Sequence, residues 1–117
     1  MAKTSGQPLD LVVTVTHVTE RLTTNAWGMI VDYGPAVAVH CEGVDIVLCS
    51  IRSQTFAPDA FNNMGIDPLS KNILIVKSSE HYRAEFSKIT DHIFTVDVPE
   101  GTLTCDFASI PYQHKDA

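Results

Sequence analysis

Residues 73–86 read ILIVKSSEHYRAEF, an apolar run followed by a polar turn and then an amphipathic pattern. The run 73–76 is short and rich in β-branched residues, so it predicts a buried strand. Beyond the turn, Tyr82, Phe86 and Ile89 have the i, i+4, i+7 spacing that places side chains on one face of a helix. The stretch therefore predicts a strand that turns sharply into a helix.

The turn itself carries residues suited to binding an anion. Ser78 or Ser79 can cap the predicted helix, and Glu80 suits the positive end of its dipole. Backbone N–H groups at the start of a helix point outward, and Lys77 stands beside them in the sequence. These features predict an anion or ligand site at the turn.

Composition and charge narrow the class of protein. A chain of 117 residues predicts a single domain, 1–117, that buries roughly 65% of its unfolded surface. The net charge of −6 argues against nonspecific nucleic-acid binding and against an anionic membrane surface. With no long apolar run, no signal-peptide core and three dispersed cysteines, we expect a cytoplasmic protein with reduced thiols.

Strands are also predicted before this stretch. Successive side chains of residues 9–18 would lie on opposite faces of a strand, and the segment is rich in Val and Thr, which favours a strand. Residues 29–31 predict a short strand after several turn-favouring residues, and Trp27 is interpreted as a packing residue.

A hairpin is predicted next. Only Glu42 and Gly43 separate the strand-like runs 36–41 and 44–50, so the two strands should pair antiparallel. The second run is apolar after Asp45, which predicts a central strand covered on both faces.

The remaining pattern predicts parallel strands joined by helices. Pro58 suits the first helical position and Gly65 the position just after a helix, so a short helix should lie between them. The connections between 44–50 and 73–77 and between 73–77 and 93–98 each contain a predicted helix, which suits a crossover between parallel strands. The strands 44–50, 73–77 and 93–98 are therefore predicted to be parallel. The predicted fold class is therefore α/β, a mixed sheet of about five strands, with an antiparallel hairpin, parallel βαβ units and two or three short helices.

Parallel sheets bind ligands outside the carboxyl ends of their strands. Arg52 and Gln54 follow one such end, and Lys77, Ser78 and His81 follow another. These five side chains are the candidate cleft or substrate-contacting residues. In such a crevice Arg52 could bind a carboxylate through two hydrogen bonds, while Lys77 could supply a point charge.

Each candidate also has a structural interpretation. His81 is either an acid–base or ligand-binding group oriented by Glu85 at i+4, or a partly buried histidine that holds the turn. Lys77 can equally be a solvated lysine, and Arg52 can pair with a nearby carboxylate of Asp59, Asp67 or Glu80. Ser78 suits a cap better than a nucleophile, since no Ser-His-Asp spacing is present.

No catalytic residue and no metal ligand is assigned from the residues. The other histidines are dispersed and fit no His-x-x-x-His or finger spacing; they are His17, His40, His92 and His114.

Several pieces of the chain occur together in one known family. They read DIVLCSIRSQTF at 45–56, GIDP at 65–68, VKSSEHYR at 76–83 and VDVPEG at 96–101. In this order they resemble the C-terminal region of MlrC-type, or microcystinase C-like, zinc metallopeptidases. The family pattern usually has Phe where this chain has Tyr82.

The resemblance implies that the zinc ligands and the catalytic carboxylate belong to a long N-terminal domain that this sequence lacks. The expected role is a cleft-supporting C-terminal domain or fragment that has no cofactor and no hydrolase activity of its own. The expected partner is the N-terminal metallopeptidase domain. The alternatives are a stand-alone binding or oligomerisation module that self-associates, and a small hydrolase using His81 and Ser78.

Overall fold

A computed structural model describes residues 7–96 of the chain. Residues 10–93 form one compact unit, while residues 7–9 and 94–96 belong to a second unit. Every helix and strand within the described residues lies in the first unit.

The first unit is built on an antiparallel sheet of three strands in the order β1-β2-β3. The strands are β1 (Thr14–Ala26), β2 (Met29–Cys41) and β3 (Val44–Cys49). The pairing of β2 with β3 confirms the predicted hairpin. The predicted strand at 29–31 is the start of β2, whereas β1 begins later than predicted and runs on to Ala26.

Both hairpin turns need backbone conformations that most residues avoid. Trp27 (φ 53°) and Gly28 (φ 77°) form the first turn, and Glu42 (φ 49°) and Gly43 (φ 83°) form the second. Two consecutive positive φ angles match the twist of the flanking strands in two-residue hairpins. Asn25 stabilises the first turn, because its Oδ1 accepts a hydrogen bond of 3.0 Å from the Gly28 N–H.

Two one-turn helices lie beside the sheet, α1 (Asp59–Asn62) and α2 (Arg83–Phe86). They confirm the predicted short helices at both places. The Asn63 side chain ties α1 to the sheet by donating a 2.8 Å hydrogen bond to the Thr23 carbonyl. The rings of Phe61 and Phe86 meet edge to face at 6.4 Å, so the two helices share an aromatic contact.

The core lies between the sheet and the segment that carries α1. Its buried members are Leu22, Tyr33, Ala36, Ala38, Met64 and Ile66. Two of its strand positions, Ala36 and Ala38, are small, which lets the loop segment approach the sheet closely.

The loop before residue 73 is tied to the β2–β3 hairpin by one carboxylate. Asp45 accepts a 2.7 Å hydrogen bond from His40 Nδ1 and also pairs with the Lys71 ammonium. The Lys71 and His40 hydrogen bonds hold the pKa of Asp45 below its ordinary value.

The predicted parallel βαβ units are wrong for the described residues. Residues 73–77 form no strand, and Ile73 and Ile75 are 79% and 84% exposed. Residues 93–96 form no strand either, and the rest of the predicted strand 93–98 lies outside the described residues. A short apolar run indicates that burial is favourable, but it does not specify which surface covers the run.

The position of β3 also differs from the prediction. Among the described residues 7–96 it lies at an edge of the sheet and has no fully buried residue, whereas its apolar sequence predicted a covered central strand. Cys49 at its end is exposed and Cys41 is half-buried, and both are free thiols.

The chain after β3 packs closely against β2 at Gly34. Its φ is 68°, and a Cβ there would lie 2.6 Å from Ser50 Oγ and 2.9 Å from Ile51 Cγ1. We predict that Gly34→Ala lowers the free energy of unfolding by about 2–4 kcal/mol, since it adds a clash to a strained φ. Urea denaturation measures this difference.

Gly28→Ala is the matched control, because Gly28 also has a positive φ of 77° but has open space around its Cβ position. Its cost should be about 1 kcal/mol. Equal losses in the two variants would show that the close approach at Gly34 contributes nothing.

Candidate functional site

Two loop segments lie side by side next to the sheet. The Thr55 N–H donates a 3.1 Å hydrogen bond to the Lys77 carbonyl, so the chain after β3 runs beside the chain before α2. This backbone contact brings the turn at 78–81 next to Gln54. The segment with Arg52 and Gln54 and the segment with Lys77, Ser78 and His81 were predicted to line one crevice. They are neighbours because the two loops pair with each other.

Tyr33 on β2 holds the first of these segments in place. Its hydroxyl donates to the Gln54 carbonyl at 3.0 Å and accepts from the Phe56 N–H at 3.4 Å. Tyr33 is only 3% exposed, so these bonds form where water has little access. The sheet thus determines the backbone position of Gln54.

The Gln54 side chain in turn holds the turn before α2. Its Oε1 lies 3.0 Å from the Ser78 hydroxyl, 3.1 Å from the Ser79 backbone nitrogen and 3.0 Å from the Ser79 hydroxyl. His81 Nδ1 lies 3.3 Å from the same oxygen. One half-buried amide therefore organises three residues of the turn.

Aromatic rings surround the imidazole of His81. Its ring centroid lies 5.6 Å from Trp27 and 5.5 Å from Phe56, and the Trp27 and Phe56 rings meet edge to face at 5.8 Å. His81 and Trp27 are nevertheless partly open to solvent, Trp27 being 47% exposed. We call the following residues the Gln54–His81 cluster: Trp27, Gln54, Phe56, Ser78, Ser79 and His81.

The structure brings three of the five candidate residues into contact, Gln54, Ser78 and His81. Arg52 and Lys77 are exposed, and neither side chain forms a hydrogen bond or an ion pair within residues 7–96. The alternative ion pair from Arg52 to Glu80 is not formed, because Glu80 pairs with Arg83 at 2.8 Å.

The predicted helix cap is wrong. Tyr82 stands at the N-cap of α2 without a side-chain cap bond, and both serine hydroxyls bind Gln54 instead. Since α2 has only four residues, its dipole offers no anion site of the predicted kind.

The predicted orientation of His81 by Glu85 is also wrong. The Glu85 carboxylate pairs with Lys88 at 2.7 Å, whereas His81 Nδ1 contacts Gln54. The orienting group therefore comes from a residue 27 positions earlier in the chain.

The sequence did not predict the aromatic part of the cluster. Trp27 was interpreted as a packing residue, and it reaches His81 because the β1–β2 turn places it there. Nothing in the local pattern signals this contact, since 54 positions separate the two residues.

In the described part of the chain, no three His, Cys, Asp or Glu side chains are grouped so that they could hold a metal ion. Residues 7–96 also contain no helix long and apolar enough to cross a membrane.

Tyr33→Phe tests whether the sheet positions the cluster. The variant removes the hydroxyl that donates to the Gln54 carbonyl and accepts from the Phe56 N–H, so we predict a loss of about 1–3 kcal/mol in the free energy of unfolding. Urea denaturation measures the loss, and the NMR signals of His81 should shift with it.

Ser53→Ala is the control, because its exposed hydroxyl makes a longer bond of 3.4 Å to the same Gln54 carbonyl. It should change stability by less than about 0.5 kcal/mol. A Tyr33→Phe variant as stable as Ser53→Ala would contradict the proposed anchoring.

Two comparisons with known proteins bear on the whole chain. Residues 1–114 match the family model described as the MlrC C-terminus. The chain is 36% identical over 115 residues to microcystinase C of Sphingomonas sp., which covers 98% of this chain and 22% of that protein. These matches confirm the resemblance found in the sequence.

Proposed function

Because this chain belongs to the MlrC C-terminal family, we propose that it is the cleft-supporting part of an MlrC-like zinc metallopeptidase. In this proposal the complete enzyme hydrolyses an amide bond, and the residues described here form part of its substrate cleft. The chain spans about a fifth of the relative it matches, which supports a role as one part of a larger protein.

The observation that carries this proposal is the amount of apolar surface the first unit exposes. Soluble monomers seldom expose large contiguous apolar patches unless another surface covers them. Here large apolar side chains are exposed just before β1, on its first half, on β3 and along 73–77. The exposed set includes Val12, Val15, Val18, Val44, Leu48, Ile73 and Ile75.

We infer that the remainder of the enzyme is the partner that covers these side chains. Within residues 7–96 one edge of β3 pairs with no strand, and this edge and the extended run 73–77 both offer backbone groups to a further strand. Burial of a single exposed Ile on such contact is worth about 1.5–3 kcal/mol. Several such residues together would stabilise a tight domain contact.

Zinc in the complete enzyme would activate the water that attacks the amide. Within residues 7–96 no three potential ligand side chains are grouped, so we place the metal in the other part of the enzyme. What this chain contributes is the Gln54–His81 cluster and the two exposed cations Arg52 and Lys77. Both cations suit the carboxylates of a peptide substrate.

We predict that the isolated chain, incubated with zinc and linear peptides, shows no turnover. A chimera in which this chain replaces the matching segment of the Sphingomonas microcystinase C should hydrolyse the same peptides. Rates of peptide cleavage measure both.

The control is a chimera carrying Arg52→Ala and Lys77→Ala, which should raise KM for acidic peptides. Its effect on neutral peptides should be small, since the lost contacts are with carboxylates. Metal-dependent turnover by the isolated chain, abolished by His81→Ala, would contradict the proposal.

The second candidate is a stand-alone binding or oligomerisation module, favoured by the same exposed apolar surface. On this proposal the chain self-associates, and light scattering should give a mass above that of one 12.8 kDa chain. The double variant Ile73→Lys, Ile75→Lys should return the mass to that of a monomer.

The same double variant distinguishes the two candidates when placed in the chimera. If 73–77 packs against the rest of the enzyme, the variant should lose activity as well. A monomeric wild-type chain at all concentrations would remove the oligomerisation candidate.

A further inference from the structure

The orientation of the Gln54 amide follows from one backbone group. The Ser79 N–H can only donate a hydrogen bond, and it lies 3.1 Å from the Gln54 atom assigned as Oε1. An NH₂ group at that position would face donor against donor. The hydroxyls of Ser78 and Ser79 adapt to either atom, so the backbone N–H decides that the oxygen points at the turn.

This orientation determines where His81 carries its proton. His81 Nδ1 lies 3.3 Å from the same oxygen, and an amide oxygen can only accept. Nδ1 must therefore be the protonated nitrogen of the neutral imidazole. Nε2 then has a free lone pair, which makes it a hydrogen-bond acceptor.

The rings around His81 keep the imidazole in this orientation. The Phe56 ring is tilted against it by 37° and the Trp27 ring by 60°. Within residues 7–96, Nε2 of His81 makes no hydrogen bond. The free acceptor therefore stands beside a half-exposed indole.

We propose that Gln54 is a positioning residue that fixes His81 as the Nδ1–H tautomer, so that Nε2 accepts a hydrogen bond from a peptide N–H of the substrate. The exposed part of the Trp27 ring packs against the apolar side chain beside that N–H. The assignment of the ligand as a peptide rests on the proposed function, whereas the tautomer follows from the geometry alone.

The tautomer is tested by long-range ¹H–¹⁵N NMR of the whole 117-residue chain with labelled histidine, at about pH 8.5, where imidazole is neutral. The signals of His81 are identified by their loss in His81→Asn. The wild-type chain should show the Nδ1–H pattern for His81. An Nε2–H pattern would overturn the proposal.

Variants of Gln54 separate positioning from general folding. Gln54→Ala should shift His81 toward the Nε2–H form, while Gln54→Glu should retain Nδ1–H because a carboxylate also accepts. Ser78→Ala removes a different bond to the same oxygen and should leave the tautomer unchanged. An unchanged His81 spectrum in a folded Gln54→Ala variant would contradict a positioning role.

The ligand is tested with two small amides, the second of which has a methyl group in place of the amide hydrogen of the first. N-methylphenylacetamide has one amide N–H and an aromatic group, and N,N-dimethylphenylacetamide lacks the N–H. At millimolar concentration the first should shift the Nε2 signal of His81 in the wild-type chain, and the second should not. The shift should disappear in Gln54→Ala.

Equal shifts with both probes, or none with either, would overturn the assignment of a peptide N–H. This outcome is independent of hydrolase activity. An inactive chimera together with the Nδ1–H tautomer would contradict the proposed function and leave the role of Gln54 standing.

Discussion

The hydroxyl of Tyr33 is the contact on which the candidate site depends. It joins a buried strand position to the backbone on both sides of Thr55, the residue that pairs with the chain before α2. An unpaired buried carbonyl or N–H costs about 1–3 kcal/mol, so this hydroxyl makes the loop conformation around Gln54 favourable. The sheet thereby positions a side chain that is not part of any regular element.

The Gln54 side chain, held by this contact, positions the turn at 78–81. Its amide oxygen accepts hydrogen bonds from the turn at 78–81, and the turn places His81 against Trp27 and Phe56. The one-turn helix α2 follows, with Tyr82 and Phe86 buried. A short helix has little stability in isolation, so tertiary contacts of this kind must support it.

The first unit combines a small buried core with many exposed apolar side chains. That combination is unfavourable for an independent soluble domain and is normal for a piece of a larger structure. The family match and the 22% coverage of microcystinase C point in the same direction. Under the proposed function, the surface that covers the exposed run 73–77 belongs to the rest of the enzyme.

The sequence by itself determined the features that depend on local backbone chemistry. Glu42-Gly43 specified a two-residue hairpin, and Pro58 and Gly65 bounded the segment that contains a short helix. The motifs around Gln54 and His81 also identified the family, because their order along the chain is specific. The turn and helix signals each lie within a few residues, and the family motifs are read in order along the chain, so none of them requires knowledge of tertiary contacts.

Only the tertiary structure decided which apolar runs are covered and which residues meet. The runs 44–50 and 73–77 read as buried strands, yet the first is a sheet edge and the second is exposed. Gln54 and His81 were expected near each other as neighbours at the ends of parallel strands, but a loop–loop contact joins them instead. An apolar run indicates that burial of the segment is favourable. The surface that buries it comes from parts of the protein far away in sequence, so the run alone does not identify that surface.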